Sequence, residues 1–301
     1  MDVPPVIRTE SLTKRYGKRR GVEDVTFQVS PGEVFGFLGP NGAGKTTTMR
    51  TLLDFLRPTS GRAELFGMDS RAGSVEIHRR IGYLPGELAL YDRMTGEECL
   101  RYLAGLRSGV RWERARGLAD RLGADLEARV GTLSHGNKQK VGVIQAFMHD
   151  PELLVLDEPT NALDPLVQNE VHGLIREANA AGRTVFLSSH ILPEVETLCD
   201  RVGIIREGHL ATVEHIASLK ERALRRLEIH FAGPIAAAEF RALDGVRDLT
   251  VEDGILRCTV AGTLDQVIKA AARYTVVNVV SEEPSLEEIF LAFYGESERA
   301  P

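Results

Sequence analysis

The chain has 301 residues and a formal net charge of -6, with 43% hydrophobic and 27% charged residues. This balance is typical of a folded globular protein that is long enough for one or two domains. The net negative charge argues against a nucleic-acid partner, because phosphate backbones attract positively charged surfaces.

The cysteines and the apolar runs indicate where the protein acts. Cys99, Cys199 and Cys258 show neither metal-ligand nor disulfide spacing, which favours a reducing cytoplasm and small core residues. The N-terminal segment lacks the apolar stretch of a secretory signal, and no apolar run reaches the ~20 residues of a membrane-spanning helix. A role at a membrane would therefore require docking onto a partner that spans it.

The N-terminal segment predicts a small antiparallel sheet. Apolar residues alternate with polar ones at Val25, Phe27 and Val29, and the turn residues Pro31 and Gly32 follow. Alternation with a period of two is typical of a half-buried strand.

Four short apolar runs predict buried strands. They are separated by longer helical patterns, which favours a mostly parallel sheet covered on both faces. A helix over KTTTMRTLLDFL, residues 45–56, is expected after the first run. The runs are VFGFL at 34–38, LLVLD at 153–157, TVFLSS at 184–189 and RVGII at 201–205.

Between about residues 85 and 150 the strand signal fades and helical patterning dominates. Thr95 followed by Glu98 has the spacing of a capping box at a helix start. We interpret this stretch as a helical subdomain inserted into a first domain that spans residues 1–220.

Residues 221–301 predict a separate accessory domain. Strands at 225–231 and 276–282, a hairpin around Asp253 and Gly254, and helices at 235–243 and 263–274 alternate along this segment, with Thr263 as a cap. This order is strand, helix, strand, strand, helix, strand, which is typical of a ferredoxin-like α+β domain. A final helix is expected over SLEEIFLAFYG, residues 285–295.

The segment GPNGAGKTT predicts a loop that binds phosphate groups. It matches G-x-x-x-x-G-K-[ST] between a buried strand and a helix, so its backbone N–H groups and the positive helix end face an anion. Lys45 would reach the β- and γ-phosphates, and Thr46 would offer its hydroxyl to Mg²⁺. The alternative is a glycine-rich structural turn. The predicted nucleotide contacts of this phosphate loop are Gly39, Pro40, Asn41, Gly42, Ala43, Gly44, Lys45, Thr46 and Thr47.

Two later strands end in candidate catalytic residues. Asp157 stands at the end of LLVLD, where it can hold Mg²⁺, and Glu158 follows it in position to polarise an attacking water. An acidic pair after a strand can also be a solvated strand end. His190 closes a later strand, where it can donate to the γ-phosphate and fix the water. The predicted catalytic set is therefore Glu158, His190 and Lys45.

The order of these motifs resembles that of the ATP-binding-cassette (ABC) ATPases over about residues 5 to 220. In that family LSHGN, residues 133–137, would be the signature element, which presents Ser134 and the Gly136 backbone to ATP held by a second subunit. His135 and Asn137 replace the usual second glycine and glutamine. The resemblance implies an α/β P-loop NTPase core with an antiparallel β-subdomain and a helical subdomain, before the ferredoxin-like domain.

The resemblance also assigns two isolated residues. Tyr16 matches the aromatic platform that stacks on adenine, although an exposed turn aromatic beside Gly17 is the alternative. Asp164 matches the loop that crosses the dimer interface.

One segment departs from the family pattern. In IGYLPGELALY, residues 81–91, the glutamine expected after Pro85 is replaced by Gly86, and Glu87 follows. The family glutamine senses Mg²⁺ and the water. Glu87 could take over the metal contact, and Gly86 offers no side chain.

The single cassette and the accessory domain resemble the ATPase subunit of ABC-2-type exporters, the group that includes daunorubicin-type drug-resistance pumps. The resemblance implies a homodimer that closes over two ATP molecules with Mg²⁺ at the cytoplasmic face of the cell membrane. It would drive a separate permease that exports a drug or other hydrophobic small molecule.

Three alternatives stay open. A soluble cassette ATPase of translation or DNA repair usually carries two cassettes or a long coiled-coil insert, neither of which is present. A non-catalytic interaction subunit would not need Glu158 and His190. An importer subunit often carries a β-barrel regulatory module, so the strand order in residues 225–285 discriminates.

Overall fold

The structure, a computed structural model, describes residues 3–17, 19–107, 109–222 and 225–282. The helix expected at 285–295 lies outside the described residues. By its internal contacts the chain divides into two compact units, Met1–Glu214 and His215–Pro301. Within the described residues, none of the helices combines the length and the apolar character that a membrane crossing requires.

The part of the chain described up to residue 222 contains ten strands and eight α-helices. A short 3-10 helix lies at Val130–Thr132. The strands are β1 Ile7–Tyr16, β2 Arg19–Val29, β3 Val34–Leu38, β4 Ser60–Leu65, β5 Met68–Asp69, β6 Ile81–Leu84, β7 Leu153–Asp157, β8 Thr184–Ser189, β9 Arg201–Arg206 and β10 His209–His215. The helices are α1 Lys45–Leu52, α2 Ser74–Arg80, α3 Gly96–Gly105, α4 Trp112–Leu122, α5 His135–Phe147, α6 Pro165–Ala180, α7 Leu192–Leu198 and α8 Ile216–Arg222.

The predicted parallel sheet is confirmed as a six-stranded sheet in the order β10-β9-β3-β8-β7-β6. Strand β3 pairs in parallel with β8 and β9, and β7 pairs in parallel with β6 and β8. Every residue of β3, β7 and β8 is buried, as expected for strands covered on both faces. In this register Leu38 pairs with Ser189 and Asp157 with Ser188, so the carboxyl ends of three strands meet at one edge.

A second, antiparallel sheet in the order β2-β1-β4-β5 confirms the N-terminal prediction, although β4 and β5 were not anticipated. Phe27 of β2 stacks on Phe35 of β3 with ring centroids 5.5 Å apart, and on Phe186 of β8 at 5.6 Å. The two sheets therefore share one aromatic core. Each such buried ring contributes about 1.5–3 kcal/mol, which fixes strands β3 and β8 beneath the site.

Helix α1 ends earlier than predicted. It was expected to run to residue 56 but stops at Leu52. Asp54 adopts a left-handed φ of 55°, and the N–H groups of Phe55 and Leu56 both donate to the carbonyl of Arg50, at 2.8 and 3.0 Å. This turn directs the chain towards β4.

The helical stretch contains α3, α4 and α5. The capping box is present: the Thr95 hydroxyl accepts from the Glu98 N–H at 3.1 Å, and the Glu98 carboxylate accepts from the Thr95 N–H at 2.9 Å. Gly123 ends α4 with a left-handed φ of 56°.

The C-terminal unit has the predicted ferredoxin-like order. Its sheet runs β12-β13-β11-β14, and each neighbouring pair is antiparallel. The predicted Thr263 cap is wrong, because the residue before α10 is Leu264 and no side chain caps that helix. This sheet differs from the β-barrel of the importer alternative. The elements are β11 Arg225–Phe231, α9 Ala237–Arg241, β12 Val246–Glu252, β13 Ile255–Val260, α10 Asp265–Ala271 and β14 Val276–Glu282.

The burial of His149, which follows α5, leads us to predict that the stability of the protein depends on pH. Its Nε2 donates to the Ile81 carbonyl at 3.0 Å, and burial, then the positive charge of Arg107, lowers its pKa from 6.5 to about 4. The unfolded chain takes up this proton at a higher pH than the folded chain does. Stability is therefore retained above about pH 6.5 and lost as the pH falls towards 4.

We expect the urea midpoint of unfolding to fall across this window in the wild type, and to fall less steeply in His149→Gln. Parallel curves for the two proteins would contradict the assignment to His149.

Candidate nucleotide-binding site

The phosphate loop joins the buried end of β3 to the start of α1. An ideal Cβ added to Gly39 would lie 2.3 Å from the Ile205 carbonyl oxygen, so only glycine fits there. Gly44 precedes α1 with a φ of 114°, which L side chains rarely adopt. These constraints point the first N–H groups of α1 into the concave side of the loop, as an anion requires.

Lys45 is the buried cation of the site, with 6% of its side chain exposed. Its Nζ donates to the Gly39 carbonyl at 2.6 Å and lies 3.1 Å from Glu158 Oε1. The ammonium is thus positioned where the loop and the end of β7 converge, within reach of phosphate oxygens bound by the loop.

Asp157 is fully buried at the end of β7 and is held from two sides. Thr46 Oγ1 donates to Asp157 Oδ2 at 2.7 Å, and Ser188 Oγ donates to Asp157 Oδ1. A hydroxyl and a carboxylate are the hard oxygen donors that Mg²⁺ binds, so this pair could hold a divalent cation. The sequence did not single out Ser188; its signal was the polar pair that ends an otherwise apolar strand.

Glu158 and His190 contact each other directly. His190 Nδ1 lies 2.7 Å from Glu158 Oε2, and because the carboxylate accepts, Nδ1 carries the proton. Glu158 adopts a left-handed φ of 53° and its N–H donates to Ser188 Oγ at 3.1 Å. A non-glycine residue in this conformation stores strain, which is common where a side chain must be aimed at a reaction.

Lys45, Thr46, Asp157 and Glu158 line one pocket of about 400 Å³. The predicted residues Gly39, Ala43, Ser134, Gly136, Asp164 and His190 are not part of its lining. Gly21 and Arg50 line the pocket and were not predicted. The lining comprises Tyr16, Gly21, Pro40, Asn41, Gly42, Gly44, Lys45, Thr46, Thr47, Arg50, Gly86, Glu87, Asp157 and Glu158.

Gly86, which replaces the glutamine of the family pattern, lies directly beside Asp157. An ideal Cβ on Gly86 would stand 3.1 Å from Asp157 Oδ2, so a side chain at this position would point at the candidate metal ligand. Glycine leaves that direction open. Glu87 is exposed and lines the same pocket.

The signature element lies outside this pocket and begins α5. Ser134 is exposed and its hydroxyl accepts from the Asn137 N–H at 3.2 Å. The Asn137 side chain bonds both backbone groups of Asp125, at 3.1 and 3.0 Å, so it supports the neighbouring loop. An ideal Cβ on Gly136 would lie 2.7 Å from the Ala162 carbonyl oxygen, which explains this glycine by close packing.

Asp164 caps α6. Its carboxylate accepts from the N–H groups of Leu166 and Val167, at 3.1 and 3.2 Å. This contact orders the end of the loop that follows Glu158.

Comparison with known proteins identifies the family of this chain. The family profile described as ABC transporter matches residues 22–161. The bacitracin transport ATP-binding protein BcrA of Bacillus licheniformis is 37% identical over 96% of this chain and 97% of its own length. The linearmycin resistance ATP-binding protein LnrL of Bacillus subtilis is 32% identical over 98% of this chain and 100% of its own. The chain belongs to the ABC transporter family.

Solved structures agree with this assignment. An ATP-binding subunit of an ABC transporter superposes with a TM-score of 0.65 and 31% identity, covering 71% of this chain and 92% of the other. The dimeric cassette MJ0796 has a TM-score of 0.64 at 21% identity, which supports the fold. This ABC protein is therefore an ATP-binding and ATP-hydrolysing subunit, and the predicted family, fold class and ATPase activity are confirmed.

Tyr16 offers a test of how this ABC ATPase holds the base. The ring is 46% exposed at the pocket, and Lys14 Nζ lies 5.4 Å from its centroid. Stacking of a base on an aromatic ring contributes ~1–3 kcal/mol. We expect Tyr16→Ala to raise the KM for ATP about tenfold or more, and Tyr16→Phe to leave it within about twofold.

Because stacking does not read base edges, the KM for GTP should rise in parallel. Steady-state hydrolysis of both nucleotides measures this, and an unchanged KM in Tyr16→Ala would place the base elsewhere.

Proposed function

We propose that this ABC ATPase works as a homodimer that powers a separate permease, which exports an antibiotic or another hydrophobic small molecule. The carrying observation is the extent of the similarity. Proteins named for bacitracin transport and linearmycin resistance match nearly the whole chain, including the C-terminal unit. A protein named for fluoroquinolone export in Mycobacterium tuberculosis matches 96% of it at 33% identity.

The site geometry supports ATP hydrolysis assisted by Mg²⁺. Thr46, Asp157 and Glu87 would hold the cation, which when bound would neutralise charge on the phosphates. Lys45 would bind the β- and γ-phosphate oxygens. Glu158 would accept a proton from the attacking water. His190, hydrogen-bonded to Glu158 through Nδ1, would donate to the γ-phosphate only with a second proton on Nε2.

The dimer would complete each site with the signature element of the second subunit. Ser134 is exposed at the N-terminal end of α5, where the helix dipole favours an anion. Head-to-tail closure would place Ser134 and the Gly136 backbone against the ATP in the partner's phosphate loop, with Asp164 near the interface. ATP would favour the closed dimer because it bonds to both subunits, and hydrolysis would remove that preference.

A groove beside the helical stretch fits the proposed permease contact. It has a volume of about 300 Å³, and Phe55, Leu88, Leu103 and Arg107 are among the residues that line it. Phe55 is 54% exposed there and offers apolar surface to a partner. A short helix on the permease would bury it, and the ATPase would then lie at the cytoplasmic face of the cell membrane.

Co-expression with a membrane protein encoded beside this gene tests the function. We expect a sensitive host to gain resistance to an apolar antibiotic only when both proteins are present, and to lose it with Glu158→Gln. Resistance conferred by the membrane protein alone, or unchanged by Glu158→Gln, would contradict the proposal.

Glu87 has its own test. If Glu87 contacts the proposed cation, replacing it with glutamine removes a carboxylate ligand, so we expect the Mg²⁺ concentration for half-maximal hydrolysis to rise about tenfold. Glu97→Gln is the matched control, because Glu97 pairs with Arg101 on the surface of α3. If both variants follow the wild-type Mg²⁺ curve, Glu87 does not contact the metal.

A further inference from the structure

Gln139 is a buried polar residue that the proposed mechanism leaves without a role. Only 2% of its surface is exposed. Its Nε2 donates to the carbonyl of Glu158 at 3.2 Å and to the carbonyl of Pro159 at 3.1 Å. Both bonds therefore hold the turn from which the Glu158 side chain is aimed.

The helix that carries Gln139 begins at the signature element. Ser134 caps α5, and at a rise of about 1.5 Å per residue Gln139 follows roughly 7.5 Å further along the axis. A helix is stiff over this length, so displacement of its exposed end also displaces Gln139. The close approach of Gly136 to the Ala162 carbonyl joins the start of α5 to the same loop.

We propose that Gln139 is a positioning residue that couples the two ATP sites of the dimer. The inference rests on the proposed head-to-tail homodimer. In that dimer Ser134 contacts the ATP held by the partner, whereas Glu158 acts on the ATP held by its own chain. A shift of α5 caused by the ATP at one site would move Gln139, and its hydrogen bonds would then move the backbone of Glu158 at the other site.

Glu158 depends on the contacts from Gln139 because its backbone conformation is strained. Its φ of 53° persists only while neighbouring contacts enforce it. The two amide hydrogen bonds from Gln139 are such contacts, and they come from an element that the partner's ATP would touch. Coupling between sites needs an element whose position both sites influence, and α5 with Gln139 meets that requirement.

Gln168 provides a matched control. From α6 it also donates its side-chain amide to two carbonyls of the same loop, those of Leu163 at 3.0 Å and Thr160 at 3.5 Å. Its helix begins at Asp164 rather than at the signature element. If the substitutions only loosened the packing of the loop, variants of both residues should lose activity. If coupling is lost, only the variant of Gln139 should do so.

The first experiment compares Gln139→Met with Gln168→Met as purified proteins. We expect Gln139→Met to lower kcat about 10- to 100-fold with the KM for ATP within about twofold, because only the aim of Glu158 changes. Gln168→Met should keep kcat within about threefold. Gln139→Leu also removes the amide donor without adding a charge, and it replaces Gln139→Met if the latter does not fold.

The second experiment uses mixed dimers in which one subunit carries Glu158→Gln, so that hydrolysis reports only on the other, reporting subunit. Ser134→Ala in the reporting subunit removes its contact with the partner's ATP together with the cap hydrogen bond of α5. We expect it to slow hydrolysis at the reporting site about fivefold or more. Adding Gln139→Met to the same subunit should give no loss beyond that of Gln139→Met alone.

The results distinguish a failure of the coupling from a failure of the proposed dimer. If the two losses multiply, or if Gln139→Met leaves kcat within about twofold, the coupling is overturned and the dimer stands. If wild-type and Glu158→Gln subunits form no dimer with ATP, the proposed dimer fails and the coupling fails with it.

Discussion

Replacing Glu158 with glutamine is expected to lower ATP turnover about 10²- to 10⁴-fold while ATP binding is retained. The carboxylate is the group positioned to take a proton from water, and the amide cannot do so. The amide still fits beside Lys45 and His190, which contact the two carboxylate oxygens at 3.1 and 2.7 Å. Phosphate release measures turnover, and equilibrium binding of a fluorescent ATP analogue measures affinity.

The matched control is Glu152→Gln. Glu152 lies just before the same strand, but its carboxylate pairs with Arg80 at the surface. Such exposed pairs contribute at most about 1 kcal/mol, so its turnover should stay within about twofold of the wild type. Normal turnover in Glu158→Gln would sink the assignment of Glu158 as the base.

Replacing Ser134 with arginine is expected to abolish ATP-dependent dimerisation. The residue is exposed at the start of α5, and a long side chain there would fill the space that the partner's ATP must occupy. Binding of ATP by the single subunit should stay within a few-fold, because Ser134 does not line the pocket of its own chain. Light scattering in a Glu158→Gln background, where hydrolysis does not reopen the dimer, measures the effect.

Val75→Arg is the control for added charge. Val75 is 69% exposed on α2 and is not among the residues of the pocket or the signature element. This variant should dimerise like its parent. A closed dimer in the Ser134→Arg protein would show that LSHGN is not the contact between subunits.

Much of the fold follows from local pattern. Strands β3, β7 and β8 match the predicted boundaries residue for residue, because uninterrupted apolar runs between turn residues admit few alternatives. Thr95 capped its helix as expected and Thr263 did not, although both precede a helical pattern. A cap depends on where the chain enters the first turn, which a pattern locates only to within a residue or two.

The motifs predicted that Lys45, Asp157 and Glu158 lie close together, and the structure brings these three residues to one pocket. Ser188 and Gln139 were missed because their contacts span more than ten residues of sequence. Ser188 reaches Asp157 only through the pairing of β7 with β8, and Gln139 reaches Glu158 only through the packing of α5. Neither contact can be inferred from the spacing of residues in the sequence.

The position of the Lys45 ammonium has a consequence for affinity. It already has three oxygen partners from its own chain, the Gly39 carbonyl, the Pro40 carbonyl and the Glu158 carboxylate. A phosphate oxygen that approaches this cation would compete with these oxygens, so nucleotide capture would be an exchange of partners rather than a simple addition. The net gain would be the difference between the two sets of contacts, and a nucleotide that binds the ammonium would also free the carboxylate for its proposed role as the base.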